Sequence, residues 1–208
     1  MKWLVSSGPL GYWWGTYEPE IQQLFRKMIR PGSVLVDVGA NVGFYSLLAS
    51  KLVGNKGQVY AIEPFPRNVK ILERHLQLNH IPNVTVFALA VSDACGMRGF
   101  LEGENPSVGH LGEANTSTVE TVTLDSLLEQ GLILPPQFIK MDIEGEERSA
   151  LSGAERLLLR YHPTLFLSTH GYVLDNECSS FLSPLGYKLE KVKDGFVDGF
   201  YEVLAVWD

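Results

Sequence analysis

Residues 34–46 read Val-Leu-Val-Asp-Val-Gly-Ala-Asn-Val-Gly-Phe-Tyr-Ser. The five residues up to Val38 are aliphatic except for Asp37, the composition of a strand buried on both faces of a parallel sheet. Gly39 and Gly43 then allow a sharp turn and a close backbone approach to a ligand, which a Cβ would hinder. A helix over 44–52 opens with free backbone N–H groups at the strand's carboxyl end, where an anionic group can dock.

The spacing Gly-x-Asn-x-Gly departs from the Gly-x-Gly-x-x-Gly dinucleotide fingerprint, because Asn41 and Phe44 stand where glycines are needed. No pyrophosphate cradle is implied. S-adenosylmethionine suits such a turn, since it offers a carboxylate, an ammonium, a ribose diol and an adenine but no phosphate. A second strand over 58–63 ends in Glu63, twenty residues beyond Gly43. An acid there can accept both hydroxyl protons of a ribose.

At 208 residues the chain suits one α/β domain, with an aromatic flap and helix over 1–30 and the main domain over 31–208. Hydrophobic residues make up 45% and charged residues 20%, which excludes disordered, collagen-like and coiled-coil classes. A net charge of −7 argues against a nucleic-acid partner, whose phosphates are neutralised by Lys and Arg. Cys95 and Cys178 form no Cys-x-x-Cys pair, so neither a zinc site nor a disulfide framework is indicated. With no signal-like apolar run at the amino terminus and no apolar stretch of about twenty residues, a cytoplasmic protein without a membrane span is expected.

Along the chain, Tyr12, Trp13, Trp14 and Tyr17 form an aromatic cluster that either covers the core or walls a ligand pocket. A helix over 18–29 follows, then the turn, and a third strand over 84–90 that runs into Ser92 and Asp93. These two either hydrogen-bond the adenine edge or form a polar turn. Residues 96–120 have weak periodicity and read as a substrate-shaping loop or a hairpin of 97–101 with 119–122; His110 in it reads as a solvated residue. A fourth strand over 138–142 delivers Asp142 to the switch point beside the first strand, with Lys140 on the same face. Acids at 144, 146 and 147 begin a helix running to about residue 161, and for Glu146 and Glu147 helix-start electrostatics is the reading adopted. A fifth strand over 164–169 brings His170 to the same edge, as a general base or as a loop-bonding side chain. A helix near 176–182, a strand over 187–192, a turn over 194–199 and an antiparallel strand over 201–207 complete the expected α/β fold. It is Rossmann-like, a seven-stranded mixed sheet with its last strand antiparallel and helices on both faces.

The order of these segments resembles that of class I S-adenosylmethionine-dependent methyltransferases, and within them the FkbM family. The resemblance rests on Gly15-Thr-Tyr-Glu18, Pro31-Gly32, Val36-Asp-Val-Gly-Ala-Asn-Val-Gly43, Glu63-Pro64, Leu124-Asp-Ser126 and Ile139-Lys-Met-Asp-Ile-Glu-Gly-Glu146. It implies methyl transfer, typically to a hydroxyl of a sugar or other small metabolite. The resemblance places cofactor contacts at Asp37, Gly39, Ala40, Asn41, Gly43, Glu63 with Pro64, and Ser92 with Asp93. Asp142 and Glu144 would face the methyl and acceptor region, with Tyr17 and Glu18 near the methionine end. Asp142 or His170 is the expected base. No metal is assigned, the alternative being a divalent cation on Asp142, Glu144 and His170. The competing functions are a nucleotide-cofactor oxidoreductase, a non-catalytic binding module, and methyl transfer to an acceptor other than a hydroxyl. The acceptor's identity and the oligomeric state have no readable code.

Overall fold

A computed structural model of the chain describes residues 1–4, 7–8, 10–102, 109–111, 117–193 and 199–208. Of the turn expected over 194–199 only Gly199 is described, and the side chains of Trp13 and His110 lie outside the description. The strands are β1 (Val34–Val38), β2 (Gln58–Ile62), β3 (Val84–Phe87), β4 (Ala90–Val91), β5 (Gly96–Glu102), β6 (Gly109–Leu111), β7 (Ser117–Val122), β8 (Phe138–Met141), β9 (Thr164–His170), β10 (Tyr187–Lys193) and β11 (Phe200–Trp207). The helices are α1 (Leu10–Trp14), α2 (Pro19–Met28), α3 (Phe44–Val53), α4 (Pro66–Leu78), α5 (Leu124–Glu129), α6 (Glu147–Ser152), α7 (Glu155–Tyr161) and α8 (Tyr172–Leu182).

Seven strands form the main sheet in the order β10-β11-β9-β8-β1-β2-β3. The five from β9 to β3 pair in parallel, whereas β11 is antiparallel to both β9 and β10, as expected. The chain reverses its winding between β1 and β8, so their carboxyl ends border the crevice in which α/β sheets bind ligands.

Both faces of the sheet are covered, which explains the near-continuous apolar strands. On one face Leu35, Val59, Phe138, Phe166 and Leu204 pack with Ile21 and Phe25 of α2 and with Phe44, Tyr45 and Leu48 of α3. On the other, Val36, Val38, Ile139, Met141 and Leu165 pack with residues of α5, α6, α7 and α8. Helix α4 sets Leu72 and Leu76 against Ala40 and Ala61. Among the described residues no helix is long and apolar enough to cross a membrane.

Two expectations are corrected here. The third strand ends at Phe87, and Ala90–Val91 pairs instead with β7 in a separate four-stranded sheet, β4-β7-β5-β6. Within it β5 and β7 form the anticipated antiparallel pair. The helix expected to run to residue 161 is broken into α6 and α7 at Gly153 and Ala154, where Asp125 accepts from the N–H groups of Arg156 and Leu157 in the first turn of α7 and the carbonyl of Ser92 packs against Gly153, 2.1 Å from where a Cβ would stand. That contact joins the small sheet to the main body.

Candidate active site

The turn after β1 is held from both sides. Gly39 and Ala40 donate their backbone N–H groups to the carbonyl of Ile62 at the end of β2. Gly39, Asn41 and Gly43 adopt φ of 79°, 49° and 93°, the left-handed region that glycine tolerates and asparagine visits. Close packing adds a second constraint, since a Cβ on Gly39 would stand 1.9 Å from the backbone oxygen of Asp142. Glu63 closes the turn from below: Asn41 N–H donates to its Oε2 at 2.9 Å, and Phe65 N–H and Asn68 Nδ2 donate to its Oε1 at 3.0 and 3.3 Å. Burial raises its carboxyl pKa, opposed by those donors. Pro64, half-buried, leads from Glu63 into the start of α4.

On the facing strand, Asp142 follows β8 and opens a loop in which Glu144 and Gly145 both take positive φ, 55° and 110°. Glu147 at the start of α6 is fully buried and folds back over this loop. Its Oε1 accepts from Ile143 N–H at 3.0 Å and its Oε2 from Gly145 N–H at 3.1 Å. His170, the last residue of β9, completes the group. Its Nδ1 lies 3.1 Å from Glu147 Oε1, while Nε2 lies 3.3 Å from Glu144 Oε2 and 3.6 Å from Asp142 Oδ1. Burial alone would lower the imidazole pKa, but the bond to Glu147 and the charges of Glu147, Asp142 and Glu144 outweigh it and raise the value to about 9. A base of ordinary pKa, the starting expectation for this residue, is therefore replaced by an imidazole that carries a proton at neutral pH.

One step below lies a buried polar row created by strand register. Asp37 stands opposite Lys140, and Ser168 opposite Glu202, all on the face toward α2 and α3. Lys140 Nζ binds Asp142 Oδ2 at 3.0 Å, the pairing anticipated for that lysine. Burial disfavours its charge, yet Asp142, Glu18, Asp37 and Glu202 more than compensate and raise its pKa. Asp37 takes a 2.5 Å hydrogen bond from Ser46 on Oδ2, and its buried Oδ1 has no hydrogen-bond partner among the described residues. Ser168 donates to Glu202 Oε2 at 2.9 Å. Burial, followed by the charge of Glu18, pushes the Glu202 carboxyl up to about 8.

The amino-terminal segment roofs this row. Tyr12 stacks on Phe44 at 4.8 Å, Tyr17 meets the same ring edge-on at 5.5 Å, and Trp3 stacks on His75 at 3.9 Å. Leu4 N–H donates to His75 Nε2, so Nδ1 bears the hydrogen that reaches the Val42 carbonyl, and the segment is tied to the glycine turn through His75. Tyr45 donates to Glu18 Oε2 at 2.6 Å, and Trp14 points outward, 79% exposed. Ser92 is buried behind the small sheet, its N–H on Val122, and Asp93 is ion-paired with Arg98 at 2.5 Å.

Comparison with known proteins agrees with this architecture. The Methyltransferase FkbM domain matches residues 37–189. The chain belongs to the FkbM methyltransferase family. The FkbM methyltransferase of Methylobacillus flagellatus superposes with a TM-score of 0.65 and 20% identity, over 89% of this chain and 50% of that one. Hexuronic acid methyltransferase AglP of Haloferax volcanii is 26% identical over 68% of this chain and 58% of its own length. A shorter match, 46% identical over 25% of this chain and 26% of the other, is to ribosomal RNA large subunit methyltransferase E of Bdellovibrio bacteriovorus. The chain spans about half the length of the curated relatives it matches.

In this FkbM-family chain the glycine turn, Glu63, Asp142, Glu144 and His170 thus gather around the carboxyl ends of β1, β8 and β9. Ser92 and Asp93 follow β4 of the separate sheet, where Ser92 packs against Gly153 and Asp93 pairs with Arg98, while Tyr17 and Glu18 belong to the roof. Sequence reasoning missed Glu147 and Glu202. An acid interrupting the otherwise apolar run Tyr201-Glu-Val-Leu-Ala-Val206 was the available signal for Glu202. For Glu147 nothing local separates it from Glu146.

Proposed function

We propose that this chain is an S-adenosylmethionine-dependent methyltransferase that methylates a hydroxyl oxygen of a sugar or another small metabolite. The observation carrying this proposal is the contact of Gly39 with Asp142, which sets a phosphate-free cofactor turn directly beside an acid. Asp37 Oδ1, buried and without a hydrogen-bond partner among the described residues, fits a ligand that brings an ammonium group. In this assignment residues 37–43 hold the methionine portion, assisted by Tyr17 and Glu18. Glu63 uses its remaining acceptor capacity on the ribose, Pro64 shapes the entry to α4, and Ser92 with Asp93 borders the adenine. Bound there, the cofactor supplies an activated methyl group.

The chain's own task is to orient an alcohol and remove its proton. Asp142 is the base assigned here, because its Oδ1 faces the crevice side occupied by His170 while Lys140 fixes Oδ2. His170 and Glu144 orient the acceptor. A positioned base contributes roughly 10²–10⁴-fold.

The name of AglP, a hexuronic acid methyltransferase, supports a saccharide acceptor. The test is calorimetry with S-adenosylmethionine, S-adenosylhomocysteine and NAD, followed by product analysis with saccharides, small alcohols, carboxylates and RNA. Binding of the sulfur ligands with methyl found on a saccharide or alcohol oxygen is expected. Failure to bind either sulfur ligand would overturn the cofactor assignment. Methyl found on RNA or on a carboxylate would overturn the acceptor assignment.

A further inference from the structure

We infer that Asp142, Glu144 and His170 form a binding site for one hard divalent cation, Mg²⁺ or Mn²⁺, with Glu147 as the residue that orients the imidazole. Among the described residues, Asp142, Glu147 and His170 bring ligand atoms within 4.8 Å of one another. These three do not have equal roles. Glu147 already accepts from the N–H groups of Ile143 and Gly145 and faces His170 Nδ1 at 3.1 Å, so its lone pairs are committed. A buried carboxylate on the far nitrogen of a histidine fixes the tautomer and points the other nitrogen outward, the arrangement that supports metal-binding imidazoles.

That other nitrogen, Nε2, faces Glu144 Oε2 at 3.3 Å and Asp142 Oδ1 at 3.6 Å. Adjacent donors in an octahedral shell of about 2.1 Å radius lie roughly 3 Å apart. Each carboxylate oxygen stands from Nε2 at close to this spacing, so an ion seated between them would keep further positions for water or substrate oxygens. An oxygen-rich donor set of this kind selects Mg²⁺ or Mn²⁺ over softer metals.

Charge balance points the same way. Three carboxylates converge on a single imidazole, and Lys140 is bound to the far oxygen of Asp142 and buried beneath it. A divalent ion would add positive charge among these carboxylates and take the place of a proton on Nε2. Its use in polarising an acceptor hydroxyl, with Asp142 then serving as ligand in place of base, rests on the methyltransferase assignment; its binding does not.

Mn²⁺ titration of the full chain, followed by electron paramagnetic resonance with and without S-adenosylhomocysteine, tests the site. One ion per chain is expected, with affinity lowered at least tenfold in Glu144→Gln and in His170→Gln. In Glu147→Gln, where only orientation is lost, a loss of about 10–100-fold is expected. Glu144 is 31% exposed, so its substitution leaves folding intact and keeps the test decisive. No bound Mn²⁺, or binding unchanged in Glu144→Gln, would overturn the inference. Calorimetry of S-adenosylhomocysteine on the same samples separates failure of the ion site from failure of the cofactor assignment.

Discussion

The Cα of Gly39 abuts the carbonyl of Asp142, leaving no space for even a methyl group between the turn after β1 and the end of β8. Cofactor turn and acid loop are therefore one packed unit. Replacing Gly39 by Ala adds left-handed strain of about 1–3 kcal/mol and overpacking of similar size. Denaturant unfolding is expected to show Gly39→Ala destabilised by roughly 2–6 kcal/mol, with S-adenosylhomocysteine affinity reduced in whatever remains folded. A variant of unchanged stability would show that the turn and the acid loop are not coupled.

Glu63 has both oxygens engaged by backbone or amide donors within the turn. Glu63→Gln turns an NH₂ group toward one of those N–H donors, a mismatch costing about 1–3 kcal/mol. Calorimetry is expected to show at least about tenfold weaker S-adenosylhomocysteine binding, since ribose and turn share this carboxylate. Unaltered affinity would remove Glu63 from the ligand's surroundings.

Asp142→Asn keeps shape but loses the proton acceptor. Turnover is expected to fall by roughly 10²–10⁴ while cofactor affinity changes by less than about threefold. Steady-state rates combined with calorimetry distinguish this from a binding residue, for which both would fall together.

Glu202 titrates near 8 in the folded chain against an ordinary 4.5, because burial and the charges of Glu18 and Asp142 disfavour its ionised form more than Lys140 and Ser168 favour it. A raised folded value means that its contribution to stability is complete below about pH 4.5 and fades as pH climbs toward 8. The fading amounts to at most about 1.4 kcal/mol per pH unit over that interval. Glu202→Gln stays neutral and can still accept from Ser168. Unfolding midpoints measured between about pH 5 and 8 are expected to decline less steeply in this variant than in the parent chain. Parallel pH profiles would show that Glu202 is ionised throughout.

Much of this is legible in the sequence. Apolar runs at 34–38, 58–62 and 138–141 declared parallel strands because burial on both faces leaves no alternation to hide them. The antiparallel last strand and the gathering of Asp142, Glu144 and His170 at one edge followed from the same strand ends. What stayed hidden depended on contacts between segments distant in the chain. The separate start of α7 is held by the carboxylate of Asp125, a residue of α5, and the small sheet is built from short strands with polar and glycine-rich composition. Glu147 looks like its neighbour Glu146 until the fold brings His170 beside it. The polar row is an intermediate case. Asp37, Lys140 and Glu202 each interrupt an apolar strand, a pattern visible in sequence, but only register reveals that all three share a face.

The position of β11 has a consequence for how the chain acquires this structure. β11 follows β10 in sequence but is wedged between β9 and β10, with register contacts to both. During synthesis β10 emerges with no neighbour to join, and its edge stays open until residues 200–207 arrive to bridge the gap. The pairing of β10 with β11 is local, whereas that of β11 with β9 spans α8 and β10, so joining this edge to the sheet takes the longer-range contact, and until it forms β9 keeps an open border able to pair with other chains.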